Sequence, residues 1–343
     1  MQELDQRDRD ILHILQTEIP IAATPFAIIG QMIDMSEKEV IKRIGRLKSR
    51  GVIRQISGMF DSRALGFETC VVAATVDDDA IERAASIINL HPGVTQNYQR
   101  NHDFNLWFTI VIPPDSRIGL ARTVEMLGDE AGCEGIRLLP TLRAFRSTVA
   151  EEHADSGEEP AGEGAQAPAL SAGEKLYVRL LQEDLPLQPR PFDALARAAG
   201  VDAEDLLEAA RRLHAQHQLR RLAALVQSSR PAFSATAMGV WVVPVSRVDE
   251  VVRKMCSVRG VSHCYLRPTY DDWPFNVFSI VHGRSVDECE SVLSQIAQDI
   301  GLEQWRALFP VREFKRSHVL LFSPELESWE ETRAPAISST AAS

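Results

Sequence analysis

The chain says nearly the same thing twice. Pro20 with Pro25-Phe26 returns as Pro186 with Pro191-Phe192, an offset of 166. Phe67 returns as Phe233 at that offset, and Gly93-Val94 with Tyr98 and Arg100 returns as Gly260-Val261 with Tyr265 and Arg267 at 167. Offsets this constant over so long a stretch mark a tandem duplication. Two related halves in one chain can do together what a homodimer does, and can then diverge. Function is to be sought where the halves agree and where they have parted.

Each half opens with a helical region. In the first, Ile11, Leu12, Ile14 and Leu15 share a helical face, a short helix follows Pro25, and a third helix starts at Ser36 with Glu39 three residues on, as in a capping box. Val40, Ile44 and Leu47 keep helical spacing, Gly51 ends the helix, and residues 52–59 read as extended. Three helices and a strand are the pattern of a winged helix-turn-helix, and residues 173–226 repeat it. Next come strands at 68–76, 94–100, 105–112 and 135–148 with helices at 78–89 and 116–131, a β-α-β-β-α-β order that is ferredoxin-like. The second half repeats this with strands at 239–245, 261–267, 275–282 and 307–322 and helices at 248–257 and 285–300. The expected class is α+β, a tandem repeat of a winged helix-turn-helix (1–60, 173–230) and a ferredoxin-like module (61–149, 231–330). Residues 150–172 are rich in Glu, Gly, Ala and Pro with almost nothing large and apolar, so they read as a flexible linker. Residues 331–343 read as a disordered tail. The halves are expected to pack as an internal pseudo-dimer, with further homo-oligomers left open.

Composition narrows the field. Of 343 residues 45% are hydrophobic, enough for real cores, and the net charge of −11 disfavours a nucleic-acid partner. The two candidate recognition helices begin Ser36-Glu-Lys-Glu39 and Asp202-Ala-Glu-Asp205, where carboxylates would face phosphates. Lys42, Arg43, Arg46, Lys48 and Arg50 are the residues placed to touch a DNA backbone, yet no specific DNA binding is expected. Five scattered cysteines without a C-x-x-C pair fit a reducing compartment and give no cysteine metal site. A polar N-terminus and the lack of an apolar run of about 20 residues lead to a cytoplasmic expectation with no membrane partner. Motifs for nucleotide cofactors and hydrolase triads are missing.

The halves agree best on their middle strands. Alternation puts Gln96, Tyr98 and Arg100 on one face, with His102 at the turn, and His263, Tyr265, Arg267 and Thr269 on the matching face. Such a face is either a polar half-to-half interface or a ligand face, with Arg for carboxylates, Tyr to pack or hydrogen-bond, and His to move a proton or bind a metal. Trp107, Tyr270 and Trp273 follow closely and would make flat walls. The closing strands add Arg143 and Arg146 around Phe145, and Arg312, Lys315 and Arg316 around Phe314. His282 ends a strand that can face a pocket.

At these residues the chain resembles a known family. A winged helix followed by a β-α-β-β-α-β module is similar to the Lrp/AsnC regulators. Thr95-Gln-Asn-Tyr98-Gln-Arg100-Asn-His102-Asp-Phe-Asn-Leu-Trp107-Phe-Thr and Ser262-His-Cys-Tyr265-Leu-Arg267-Pro-Thr-Tyr270-Asp-Asp-Trp273-Pro-Phe275-Asn look like the two subunit motifs of its enzymatic branch, the siroheme decarboxylases. Ala235-Thr-Ala-Met238-Gly-Val-Trp241 and Arg312-Glu-Phe-Lys315 fit the second subunit too. The resemblance implies a fused two-subunit carboxy-lyase that removes the carboxyl groups of two acetate side chains of siroheme. The product, 12,18-didecarboxysiroheme, leads to d1-type heme or to heme by an alternative route. It implies siroheme as an iron tetrapyrrole substrate, no added cofactor, and no metal of the protein's own. On this footing His102 and His263 are the catalytic candidates, as proton donors or as ligands to siroheme iron. Arg100, Arg267, Arg146 and Lys315 are the carboxylate clamps, and Tyr98, Tyr265, Trp107, Tyr270 and Trp273 the remaining substrate-binding candidates. A His is expected where Gln96 stands, and Thr269 stands where the first half has His102. One site or two is left open. The alternative is an Lrp/AsnC-type ligand-responsive transcription regulator.

Overall fold

The structure is a computed structural model that describes residues 4–146, 170–226 and 235–340, without the side chains of Arg146 and 334–340. The first half runs α1 (Gln6–Thr17), α2 (Pro25–Met32), α3 (Glu37–Ser49), β1 (Ile53–Phe60), β2 (Glu68–Thr75), α4 (Ile81–Asn89), β3 (Val94–Arg100), β4 (Leu106–Ile112), α5 (Leu120–Ala131), β5 (Gly135–Leu139) and β6 (Arg143–Arg146). The second runs α6 (Ala172–Gln182), α7 (Pro191–Ala199), α8 (Ala203–Ala215), β7 (Leu219–Val226), β8 (Ala235–Trp241), α9 (Val248–Cys256), β9 (Val261–Leu266), β10 (Val277–Gly283), α10 (Val286–Ile300), β11 (Trp305–Leu308), β12 (Pro310–Arg316) and α11 (Pro324–Thr340). Most of the linker read at 150–172 lies outside the described residues; its last residues begin α6, where Ser171 and Glu174 form a full capping box. At Ser36 only half of that box forms, because Glu39 is drawn to Arg43 instead. The tail read as disordered from 331 continues α11 to Thr340.

The chain forms two compact units. One holds both winged helix-turn-helix domains, whose strands β1 and β7 pair antiparallel, with Ser57 opposite Ala223. Pro25 and Pro191 each sit in the first turn of a helix, where a missing N–H costs nothing. Three cations of α3 are already engaged. Arg43 binds Asp5, Asp8 and Glu39, Arg46 binds Asp8, and Lys48 binds Asp184.

The other unit holds both α+β modules. Its two five-stranded sheets are ordered β12-β3-β4-β2-β5 and β11-β8-β10-β9-β6. Each is completed by a strand from the other half. The closing strands expected at 135–148 and 307–322 are therefore not single strands. They break at Pro140 and at Phe309-Pro310, since proline cannot continue a ladder. The second piece of each then crosses to the partner sheet, β6 beside β9 and β12 beside β3.

The crossings are pinned in duplicate. Arg267 donates to the Leu139 carbonyl and Arg100 to the Leu308 carbonyl (3.3 Å), each at the residue before the crossover. Arg143 pairs with Asp249 of α9, and Arg312 with Glu82 of α4. Phe145 and Phe314 pack into the helix-side core of the half that receives them.

Strand alternation gives each sheet two buried faces. The outer faces pack on helices, burying Val72, Phe108 and Ile110 in one module and Trp241, Val277 and Leu293 in the other. The inner faces meet each other across Ala73, Trp107, Val240, Tyr265, Trp273 and Phe278. This shared core makes the modules an internal pseudo-dimer.

One buried histidine lies on the helix side, away from the inner faces. His91 follows α4, accepts the Gly93 N–H at 2.9 Å on Nδ1, and lies edge-on to Trp329 of α11. Burial, helped by the charges of Lys315 and Arg333, pushes its pKa down to about 3. An unfolded chain takes up that proton near pH 6.5, so the stability held by neutral His91 is complete above pH 6.5 and drains as pH falls toward 3. The loss should reach about 2 kcal/mol at pH 5. Urea unfolding at pH 7.5 and pH 5 should show His91→Gln losing about 2 kcal/mol less than the parent. Equal losses in the two proteins would contradict this.

Candidate functional site

Glycines set the two middle strands against their neighbours. Gly93 accepts the Val111 N–H at 2.9 Å, and Gly260 accepts the His282 N–H at 2.8 Å. A Cβ at Gly93 would collide with the Val111 carbonyl, and Gly260 has φ +95°, which favours glycine. These bonds also make Val111 and His282 equivalent positions of the repeat.

The inner face of β9 then carries a polar cluster at one end. His263 stands opposite Ile280 of β10 and opposite Arg146 of β6 in the strand register. Its ring stacks on Tyr265 at 6.1 Å. His282 lies alongside, held by Ser262 Oγ at 2.9 Å from Nε2 and Thr236 Oγ1 at 3.1 Å from Nδ1. Hydroxyls donate or accept, so this ring keeps both bonds whether neutral or protonated. Burial, then the neighbouring His263, lowers the His282 pKa. His263, His282 and Thr236 all reach the surface, so the cluster is open to a ligand. An imidazole that keeps its hydrogen-bond partners as a proton comes and goes suits general acid–base work. Sequence reasoning placed His282 only at a strand end; the available signal was Val111 at its repeat position.

His102 is elsewhere. It packs on Trp273 at 5.2 Å, beyond the C-terminal end of β9, with Phe104 and Phe275 around it. Its Nδ1 accepts the Phe104 N–H at 3.0 Å, which leaves the proton of a neutral ring on Nε2. Burial lowers its pKa against the pull of Asp103. The two catalytic candidates thus mark opposite ends of the inner face.

The binding candidates divide. Tyr98 is half-buried on the inner face of β3 and bonded to Glu313, and Arg100 lies 5.8 Å from its ring. Arg267 is 2% exposed, over the rings of Tyr265 and Phe278, and spends its guanidinium on the Leu139 carbonyl. Trp107, Tyr265 and Trp273 are core residues between the sheets, so the ligand walls expected of them are an interface between halves. Tyr270 donates to the Leu138 carbonyl at 2.6 Å under Arg137, which itself binds Asp272. Lys315 faces away from the inner face. It caps the end of α4 through the Asn89 carbonyl at 3.0 Å, and a bulge between Glu313 and Lys315 brings Arg316 opposite Gln96 in its place. The Arg146 side chain lies outside the described residues.

Residues 8–54 and 174–220 match the siroheme decarboxylase NirDL-like HTH domain, and residues 64–146 and 232–315 the AsnC-like ligand binding domain. A siroheme decarboxylase of Hydrogenobacter thermophilus is 33% identical over 93% of this chain and 96% of its own. The chain belongs to the siroheme decarboxylase family. It is the fused, single-chain form. The crystal structure of the siroheme decarboxylase NirDL with an iron-uroporphyrin III analogue superposes with a TM-score of 0.78 at 32% identity, covering 96% of this chain and 99% of the other. The siroheme decarboxylase beta subunit of Methanosarcina barkeri is 33% identical over 42% of this chain and 95% of its own length. Among the described residues no helix is long and apolar enough to cross a membrane, and no cluster of His, Cys, Asp and Glu is arranged for a metal.

Proposed function

We propose that this protein is a carboxy-lyase that removes the carboxyl groups of two acetate side chains of siroheme. The observation that carries the reading is the open His263–His282 cluster on the inner sheet face of a family member. Its relative was solved with an iron-uroporphyrin III analogue. Each step breaks the bond between the acetate methylene and its carboxylate, which leaves as CO2. The electron pair stays on the methylene carbon, spread into the conjugated macrocycle. A proton from an imidazolium then makes the methyl group, and solvent restores it. The step is redox-neutral and needs no added cofactor. Siroheme iron belongs to the substrate. Arg146, opposite His263 in the register, is the cation assigned to the carboxylate at this face. The protein's share is to position the acetate and supply the proton.

The test is anaerobic incubation with siroheme, following product mass. Loss of two CO2 is the expected result, and unchanged siroheme would sink the proposal. The same preparation should give no sequence-specific footprint on DNA at physiological salt, because the helix α3 cations are held by carboxylates of their own domain pair. A sharp footprint with inert siroheme would favour the Lrp/AsnC-type regulator.

A further inference from the structure

The repeat ties each helix end to the strand that follows it. Asn89 ends α4, and its counterpart 167 residues on is Cys256, which ends α9. Asn97 of β3 corresponds in the same way to Cys264 of β9. In the first half the two side chains meet, Asn97 Nδ2 donating to Asn89 Oδ1 at 2.9 Å. In the second half two thiols meet at the same place, Cys264 donating to Cys256. Both lie in the helix-side core of their module, Cys264 wholly buried and Cys256 6% exposed beside the exposed Ser257. Cys70 and Cys289, by contrast, turn their thiols to backbone carbonyls. The contact is thus kept in both halves while its chemistry differs. Two amides have no covalent alternative to their hydrogen bond under mild oxidation. Two thiols have one.

We infer that Cys256 and Cys264 are a dithiol pair that a small-molecule disulfide converts to a cystine, tying the end of α9 to β9 and slowing the enzyme. Cys256 is the attacking thiol. The hydrogen bond from Cys264 lowers its pKa, whereas that bond, with burial, raises the pKa of Cys264. The Cys256 thiolate attacks one sulfur of the reagent and expels the other. Cys264 then gives up its proton and displaces the remaining half of the reagent from Cys256. Two protein thiols lose two electrons and two protons to form one disulfide, and the reagent takes them up to become two thiols. Forming the bond draws the sulfurs closer than their hydrogen bond does, so α9 or β9 must yield. Cys264 stands between His263 and Tyr265 on β9, and Phe145 and Arg146 of the exchanged strand lie opposite Cys264 and His263. Misplacing such a frame by about 1 Å costs about 10²-fold in rate. The effect on rate rests on the siroheme decarboxylase reading; the cross-link does not.

The test treats the full-length reduced chain with oxidised glutathione, blocks the remaining thiols with iodoacetamide, and maps a digest made without reduction. Arg259 lies between the two cysteines, so trypsin separates them unless a disulfide joins the fragments. The joined pair, lighter by two hydrogens, is the expected product. Blocked thiols at both positions, or only a glutathione adduct on Cys256, would overturn the inference. Mapping needs no substrate, so it decides the thiol pair even if the siroheme assay fails. The cross-linked chain should decarboxylate siroheme about 10²-fold more slowly, and dithiothreitol should restore the rate. Cys256→Ser, or Cys256→Ala should the hydroxyl fold poorly, should keep its rate under oxidised glutathione. A cross-linked chain that works at the parent rate would refute the control of activity. Equal slowing of the Cys256 variant would do the same, by tracing the loss to another cysteine.

Discussion

His263→Ala should slow decarboxylation of siroheme by about 10²–10⁴-fold, the usual span for removing a general acid. Binding of iron-uroporphyrin should survive, because Arg146, opposite His263 in the register, remains. His102→Ala should do far less to the chemical step. His102 sits in a cage of Phe104, Trp273 and Phe275 at the other end of the inner face. Single-turnover rates with enzyme in excess would separate the two variants. Equal, large losses in both would mean that the substrate spans the face from end to end and touches both rings.

Trp273→Ala should cost about 3–5 kcal/mol of stability, the range for truncating a large buried aromatic side chain. The indole is fully buried and meets Trp107, Phe104, His102, Phe275 and Phe278 at ring distances of 5.0–6.2 Å. It reaches the core through the loop between β9 and β10, which is longer than its first-half counterpart between β3 and β4. The cost should appear as a lower denaturant midpoint. A midpoint within error of the parent would show that the sheets are held by their exchanged strands alone.

Much of this architecture was legible in the residues. Constant offsets exposed the duplication, helical spacing exposed α1 and α3, and the two-to-one alternation of β3 and β9 marked the inner face correctly. The strand exchange was not legible. Periodicity reports which face of a strand is buried, but nothing in Arg143-Ala-Phe-Arg146 states which sheet edge it joins. The prolines at 140 and 310 were the visible hints. Site residues were misjudged for a related reason. Matching Phe145 with Phe314 pairs Arg146 with Lys315, whereas a single bulged residue turns Lys315 toward α4 and presents Arg316. Arg267 was read as a clamp because cations are seldom buried, and here a backbone carbonyl at a chain crossing stabilises it. His282 looked ordinary until its neighbours Thr236 and Ser262 were in place.

The traded strands have an evolutionary meaning. Neither α+β module owns a full sheet, so each half carries the last piece of the other and a fault in either is inherited by both. Such a protein cannot be pared down to either half, because each is scaffolding that the other cannot make for itself. Fusion fixes the stoichiometry of this exchange at one copy of each half.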